Sequence, residues 1–192
     1  LPVAAGGVWF PQSGWIRPPS LVRALLARCG DALEARYGCA VATLDRDGDE
    51  WIARDASGRE MARAATVVLA NAHDALRLAP DPAARLRRVR GQVSLLPGER
   101  FAALRAVVLR GGMVLPPVDG RTVVGASFDF DDEEPASRVE DHEGNLQRLE
   151  RILPGTSAGF DAATLEGRVG WRATVPDRLP MIGAIDDARG PG

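Results

Sequence analysis

The sequence predicts an α+β fold, with an antiparallel sheet and flanking helices in one lobe and an incomplete second lobe beside it. Short β-branched runs separated by turn dipeptides are typical of antiparallel hairpins. Two stretches carry apolar residues at the spacing of one helix face. One continuous apolar run, Ala65–Ala70, interrupts the hairpins and is typical of a strand buried on both faces of a parallel sheet.

The passage from hairpins to that continuous run and back suggests where the lobes divide. We expect residues 1–14 and 89–170 to form the antiparallel lobe, and residues 15–75 and 171–192 the incomplete one, with residues 76–88 as a linker. A chain of 192 residues can bury a core in either one domain or two small ones.

The first part of the chain, residues 6–20, predicts a short aromatic strand, then a turn and the approach to a helix. Pro18 and Pro19 suit the first helical turn, because a missing N–H costs nothing there. An apolar stripe continues through Leu25, and Gly30 is the expected C-cap, since glycine readily adopts a positive φ.

Residues 37–72 predict a three-stranded meander that leads into the buried run. The dipeptides Asp47-Gly48 and Ser57-Gly58 are favourable hairpin turns. Residues 106–126 predict further antiparallel strands, because β-branched runs are again separated by glycine-containing turns.

An acidic loop, residues 129–134, precedes a helix that should begin near Ser137. The face of this helix that should pack on the sheet carries Val139, His142, Leu146, Leu149, Ile152 and Leu153. The side that should face solvent carries Glu140, Asp141, Glu143 and Arg148.

The charge of the chain limits the functions open to it. A net charge of −2 and a pI near 5.8 give no overall field that attracts a polyanion, so any contact with RNA must be local or supplied by another part of the protein. All 24 basic residues are arginines, which excludes a Schiff-base lysine. The cluster at residues 85–90 is interpreted as a solvated face, with phosphate contact as the alternative.

Cysteine usage and hydropathy predict a cytoplasmic protein without a metal site. Cys29 and Cys39 fit neither a paired-cysteine zinc pattern nor a disulfide framework, so a reducing compartment is expected. No apolar run approaches the length of a membrane span, and no membrane partner is predicted. The first residues lack an initiating methionine, and we expect the chain to be part of a longer protein.

Several common catalytic motifs do not occur in the sequence. It has no zinc spacing, nucleophile elbow or phosphate-binding P-loop. It also has no Gly-x-Gly-x-x-Gly between a strand and a helix, the motif that holds a dinucleotide pyrophosphate. His73 is interpreted as a surface-loop histidine rather than a catalyst, because no paired carboxylate or nucleophile lies nearby in sequence.

The segment Gly170–Gly183 combines an arginine, a turn and a glycine. Asp177 can accept a hydrogen bond from its own backbone and Pro180 fixes its φ, so the chain must bend there. An ordinary strand-to-loop corner would account for the same residues. The pattern Gly-x-Arg followed by Asp-x-x-Pro-x-Ile-Gly resembles the C-terminal signature of the flavin-dependent amine oxidases related to glycine oxidase and D-amino-acid oxidase.

This resemblance implies a D-amino-acid-oxidase-like architecture with FAD as cofactor, in which the antiparallel lobe binds substrate and the incomplete lobe binds FAD. It implies that Arg172 binds the substrate carboxylate, with Arg90 and Arg110 as reserve candidates. Ala72 stands where these oxidases usually have glycine, at a strand end that touches the flavin. The residues that the resemblance places against the flavin are Ala70, Asn71, Asp177, Pro180, Met181, Ile182 and Gly183.

Longer stretches resemble one branch of these oxidases, the C-terminal FAD-dependent half of bifunctional tRNA 5-methylaminomethyl-2-thiouridine biosynthesis proteins. These stretches are residues 7–15, 67–73, 89–94, 124–129, 140–149 and 178–183. The resemblance implies that the carboxymethylaminomethyl group of the wobble 2-thiouridine in tRNA is oxidised to the aminomethyl form and glyoxylate. A methyltransferase half that uses S-adenosylmethionine would then methylate the amine, and nothing in this chain represents it.

Two other functions remain open at this point. A glycine- or sarcosine-type oxidase would share the fold and the arginine but would need no tRNA surface. A binding or interaction domain would have no cofactor and no turnover. Because the pyrophosphate motif is missing, we expect these 192 residues by themselves to bind FAD weakly or not at all and to be inactive.

Overall fold

The computed structural model describes residues 3, 6–80 and 85–185. Its helices are α1 (Pro18–Cys29), α2 (Ala75–Leu78) and α3 (Val139–Ile152). Its strands are β1 (Thr43–Asp47), β2 (Glu50–Arg54), β3 (Glu60–Ala64), β4 (Arg87–Pro97), β5 (Val108–Leu109), β6 (Met113–Val114), β7 (Arg121–Gly125), β8 (Asp129–Phe130) and β9 (Glu166–Thr174).

The larger of two sheets is antiparallel and has six strands arranged around β4. Strands β7 and β8 pair with successive parts of one edge of β4, and β9 pairs with nearly the whole of the other edge. Beyond β7 lie β6 and then β5. The predicted antiparallel sheet with a flanking helix is therefore confirmed.

The two faces of this sheet have different surroundings, because side chains alternate between faces along a strand. Helix α3 packs on one face, where Leu96 of β4 enters the hydrophobic core. That core consists of Leu96, Phe101, Val114, Val124, Leu149, Ile152 and Leu153. The opposite face, which we call the open face, carries Val89, Gly91 and Val93 of β4 and, directly across from them, Arg172, Gly170 and Arg168 of β9.

Helix α3 begins two residues after the expected start, and two of its residues are placed differently from the prediction. Asp141 was expected in solvent, but its carboxylate accepts a 2.6 Å hydrogen bond from the buried Arg90. Val139 was expected in the core but is exposed. The periodicity fixes the helix, whereas a buried arginine on a distant strand decides which polar residue turns inward.

The smaller sheet is the predicted meander. Strands β1, β2 and β3 form two consecutive antiparallel hairpins. Gly48 and Gly58 have positive φ in the two turns, the backbone conformation for which the turn dipeptides were selected. Helix α1 also agrees with the prediction, with prolines in its first turn and Gly30 at its C-cap.

Two predicted strands are wrong. Residues 6–10 form no strand, and neither does the apolar run 65–70, in which Val68 is 82% exposed. A strand that is buried on both faces needs neighbouring strands, and none of the described residues pairs with this run. The run has the composition of a central strand without the partners that would make it one.

The division into lobes stays a prediction. The large sheet takes in residues from Arg87 to Thr174, so β9 extends four residues past the boundary expected at residue 170. Part of residues 1–14, 76–88 and 171–192 lies outside the described residues. Within the part that is described, no helix is long and apolar enough to cross a membrane.

Candidate functional site

The side chain of Arg172 lies across the open face, above Gly91. A Cβ at residue 91 would be 3.2 Å from Nη1 and 3.5 Å from Nη2 of Arg172. Residue 170, the partner of Gly91 in the register, is also a glycine, so no side chain stands between the two strands at this level. The guanidinium therefore lies over backbone atoms rather than over a side chain.

No acid in the described part of the chain pairs with the guanidinium of Arg172. Among the described residues it makes no ion pair and no hydrogen bond, and its Cζ lies 5.8 Å from the centroid of the Phe128 ring. No described residue competes for its fork of N–H donors, which can therefore bind an anionic ligand. A bidentate pair with a carboxylate is the interaction that this geometry suits best.

Two aromatic rings adjoin Arg172 on the open face. Phe128 and Phe130 make an edge-to-face pair with centroids 5.1 Å apart, and each is about half exposed. The guanidinium of Arg87 lies 4.1 Å from the Phe130 centroid, as in a cation–π pair. We call Phe128 and Phe130 the aromatic pair.

The chain turns sharply after β9. The Leu179 amide donates to the Asp177 carboxylate over 3.0 Å, and the Arg178 amide donates to the Val175 carbonyl over 3.0 Å. The side chain of Asp177 thus bonds its own backbone, which confirms the predicted turn. Beyond it Met181 and Ile182 are exposed, and Ile182 is 95% exposed.

The strand end predicted to touch a flavin leads into a 3₁₀ turn beside β9. Ala70 and Asn71 are exposed, and the turn Ala72–Asp74 that follows them packs against β9. Ala72 has φ of +54°, the conformation that glycine adopts freely and alanine adopts at a cost of about 1–2 kcal/mol. The backbone thus keeps the glycine-like conformation although the residue is alanine. His73 is half-buried, and its Nδ1 atom has no partner among the described residues.

Arg90, the first reserve candidate, is completely buried on the helix side of the sheet. It donates to the carbonyls of Glu134 and Ala136 over 2.8 and 2.7 Å, and to Asp141 over 2.6 Å. Gln92 receives a further bond over 3.2 Å. These bonds tie the acidic loop and α3 to the sheet, and they leave Arg90 no access to the open face.

Arg110, the second reserve candidate, lies just after β5 at the far edge of the sheet. Strands β6, β7 and β4 lie between β5 and β9, the strand of Arg172. Arg110 lines a shallow depression with Gly111, Glu150 and Arg151. The structure therefore does not bring Arg90, Arg110 and Arg172 together.

Gly91 and the aromatic pair were not predicted as site residues. A lone glycine inside a strand pattern can mark a close approach of another group, which is the signal that Gly91 offered. Phe128 and Phe130 gave no such signal, because alternating aromatic residues are typical of any strand.

The whole sequence matches one family of cofactor enzymes. Residues 1–191 match the family described as FAD dependent oxidoreductase. The chain belongs to this family. Its cofactor is accordingly FAD.

Curated relatives include the tRNA 5-methylaminomethyl-2-thiouridine biosynthesis bifunctional proteins MnmC. The chain is 45% identical over 188 residues to that of Burkholderia multivorans and 41% identical over 191 residues to that of Paraburkholderia phytofirmans. In both cases the match covers 97% of the chain and 29% of the relative. The chain thus spans less than a third of the length of these relatives.

Solved structures show the same fold. The crystal structure of glycine oxidase from Geobacillus kaustophilus matches with a TM-score of 0.61 at 22% identity, over 79% of this chain and 40% of that one. Glycine oxidase from Bacillus cereus matches with a TM-score of 0.60 at 18% identity, over 76% and 40%. The predicted D-amino-acid-oxidase-like α+β fold is confirmed.

The residues present fit the ring of FAD rather than its pyrophosphate. Met181 and Ile182 expose apolar surface that suits a flat heteroaromatic ring. The backbone N–H groups of Met181, Ile182 and Gly183 donate to none of the described residues, so they are available to ring oxygens or nitrogens. No Gly-x-Gly-x-x-Gly occurs in the 192 residues to present a helix N-terminus to the pyrophosphate.

Proposed function

We propose that this chain forms the substrate-carboxylate site and a ring-facing loop of an enzyme that oxidises the CH–NH group of 5-carboxymethylaminomethyl-2-thiouridine at the wobble position of tRNA. The products are the aminomethyl nucleoside and glyoxylate. The observation that carries the proposal is the guanidinium of Arg172 above Gly91, which pairs with none of the described residues, on a chain whose relatives are named for the biosynthesis of 5-methylaminomethyl-2-thiouridine in tRNA.

Arg172 would hold the glycine-like end of the substrate. A bidentate fork fixes both the position and the plane of a carboxylate, so the adjacent CH₂–NH group is presented in one orientation. The Phe128 ring at 5.8 Å and the backbone below the guanidinium carry no charge that would compete with the substrate carboxylate for Arg172. The main task of these residues is therefore orientation rather than proton transfer.

The overall reaction balances with water and a two-electron oxidant as the other reactants. FAD would supply that oxidant when bound, as a hydride acceptor for the CH₂ group next to the carboxylate. The substrate nitrogen gives up its proton, and the resulting C=N bond is hydrolysed to glyoxylate and the primary amine. Ala70, Asn71 and the Asp177–Gly183 segment, with Pro180, Met181 and Ile182, would contact the ring.

The partners follow from the same proposal. tRNA would bring the substrate, and a methyltransferase half that uses S-adenosylmethionine would methylate the amine product, as the word bifunctional in the names of the relatives suggests. Such an enzyme would work in the cytoplasm.

Replacement of Arg172 tests the proposal in the flavin-loaded enzyme. Arg172→Ala should lower kcat/KM on modified tRNA by several powers of ten, equivalent to roughly 3–5 kcal/mol, and Arg172→Lys should restore little, because an ammonium lacks the planar fork. Flavin content, measured by absorbance, controls for loss of cofactor. Wild-type turnover by Arg172→Ala with full flavin content would contradict the assignment, and turnover of free glycine or sarcosine in preference to tRNA would favour a small-molecule amine oxidase.

A further inference from the structure

We propose that the aromatic pair, Phe128 and Phe130, is the surface on which the pyrimidine base of the substrate stacks while Arg172 holds the carboxylate. This inference rests on the proposed function and adds the recognition of the base to it. It implies that residues of this chain determine whether the enzyme accepts a nucleoside or a free amino acid as substrate.

The first support is the position of the rings. Phe130 pairs with Val89, and Arg172 pairs with the same Val89 from the other side, so the three residues form one row across β8, β4 and β9. Phe128 lies next to this row, close to the guanidinium and in edge-to-face contact with Phe130. Rings and arginine therefore belong to one continuous surface on the open face.

The second support is the exposure of the rings. Phe128 is 51% exposed and Phe130 is 49% exposed, although both are large apolar residues, Phe130 in the short edge strand β8 and Phe128 just before it. The guanidinium of Arg87 lies over Phe130 and is itself bonded to Asp131, which holds that ring in place. Phe128 is consequently the ring with more room for a planar ligand.

The third support is the length of the substrate. Four bonds separate the carboxyl carbon from C5 of the pyrimidine, which is about 5 Å in an extended chain. The Cζ atom of Arg172 is 5.8 Å from the centroid of Phe128. A substrate whose carboxylate is bonded to Arg172 can therefore place its base on the Phe128 ring, with the CH₂–NH group between the guanidinium and the ring.

The charge around the rings favours the base over the phosphates. Three arginines beside the aromatic pair are bonded to acids of the loop, because Arg87 pairs with Asp131, Arg88 with Glu133 and Arg138 with Asp132. These three arginines are therefore already paired and are not free for the phosphates of the nucleic-acid backbone. An exposed aromatic ring binds the face of a base instead, and stacking on it tolerates a sulfur in place of oxygen.

The proposal predicts an effect on one class of ligand only. A free N-substituted glycine has a carboxylate for Arg172 but no base, so it uses none of the stacking surface. Phe128→Ala should weaken the nucleoside and leave the small ligand unchanged, whereas a variant that merely disturbs the sheet should weaken both.

The experiment compares two ligands on the flavin-loaded enzyme. We would measure kcat and KM for 5-carboxymethylaminomethyl-2-thiouridine nucleoside, and the inhibition constant of sarcosine against it, for wild type, Phe128→Ala, Phe130→Ala and Phe128→Trp. Phe128→Ala should raise KM for the nucleoside about tenfold with a smaller change in kcat, as expected for loss of one stacked base. Phe130→Ala should do the same to a lesser degree, and Phe128→Trp should restore the wild-type KM.

Phe160→Leu is the matched control. Phe160 also carries an arginine on its ring, at 4.4 Å from Arg100, but it lies beside Leu95 and Pro97 at the other end of β4. The Phe160→Leu variant should leave KM for the nucleoside and the inhibition constant of sarcosine within about twofold of wild type.

The outcomes separate the two hypotheses. Wild-type turnover of the nucleoside with an unchanged KM in Phe128→Ala would overturn the stacking surface and leave the proposed function intact. Equal weakening of the nucleoside and of sarcosine would also overturn it, because the rings would then serve packing alone. A wild-type enzyme that neither binds nor oxidises the nucleoside would overturn the proposed function and the stacking surface together.

Discussion

The guanidinium of Arg172 lies over Gly91 so closely that a Cβ at residue 91 would be 3.2 Å from its Nη1 atom. The same Cβ would be 3.2 Å from the carbonyl oxygen of Ser127, which is backbone and cannot rotate away. Gly91 is the middle residue of the Arg90-Gly91-Gln92 triplet, whose outer members face α3. The triplet therefore has two roles. Its outer residues bond α3 to the sheet, and Gly91 leaves room for Arg172 on the open face.

Gly91→Ala should reduce catalysis by moving Arg172 rather than by unfolding the sheet. We expect kcat/KM on the modified substrate to fall by about tenfold or more, because a small displacement of a positioning group has a large effect on the rate. The measurement is a double-mutant cycle with Arg172→Ala. If Gly91 acts through Arg172, Gly91→Ala should change little once the guanidinium is gone. An equally large loss in both backgrounds would show that Gly91 acts in another way.

Ala72→Gly should stabilise the protein. The φ of +54° at Ala72 costs about 1–2 kcal/mol for alanine, whereas glycine adds about 0.4–1 kcal/mol of backbone entropy to the unfolded chain. The difference favours the variant by roughly 0.5–1 kcal/mol in the free energy of unfolding, measured by denaturant titration. Ala75→Gly is the matched control, since Ala75 has φ of −57° and should lose stability on the same change. Destabilisation by both substitutions would argue against strain at Ala72.

The 192 residues by themselves should bind FAD weakly. The segment Asp177–Gly183 offers apolar contacts and free N–H groups to the ring, but the chain has no glycine-rich helix N-terminus for the pyrophosphate. Gel filtration of the chain with excess FAD should remove most of the flavin absorbance from the protein peak. Stoichiometric retention of the flavin would contradict this prediction.

Local patterns predicted the parts of the fold that depend on local chemistry. Gly48 and Gly58 fix their turns by positive φ, and Gly30 ends α1 in the same way, so these features follow from neighbours in sequence. The run 65–70 failed because a central strand is defined by the strands beside it, and the described residues supply none. Its apolar composition suits a strand with neighbours on both sides, and the described residues do not provide those neighbours.

The site was only partly visible in the sequence for a similar reason. Arg172 was singled out by a motif, but the relation of Gly91 to it exists only once β4 and β9 pair in a given register. Asp141 was misplaced because its partner Arg90 lies 51 residues away in sequence. Helical periodicity shows which face is apolar and cannot show where a buried charge will need a partner.

The stability of the protein should depend on pH through His142. This histidine is buried beneath β4 with its Nδ1 atom 2.7 Å from the Ser94 hydroxyl, and the Asn145 amide donates to the same hydroxyl over 3.1 Å. Burial lowers the pKa of His142, and the nearby Asp141 opposes this with a smaller effect. The folded protein therefore prefers the neutral imidazole.

The sign of the effect follows from the lowered pKa. The unfolded chain binds a proton at the ordinary histidine pKa of about 6.5, whereas the folded protein binds it only at lower pH. Above that value both states are neutral and the stability is fully present. As the pH falls below it, the unfolded state gains the proton first, so the free energy of unfolding should fall by at most about 1.4 kcal/mol per pH unit.

Denaturant titrations between about pH 7.5 and pH 5 measure this dependence. His142→Gln should flatten it, because glutamine keeps a polar group near Ser94 but cannot titrate. His73→Gln removes the other histidine of the chain and serves as the matched control, which should retain the wild-type slope. A slope that survives in His142→Gln and disappears in His73→Gln would assign the pH dependence to His73 and contradict the prediction. A slope unchanged in both variants would assign it to the carboxylates.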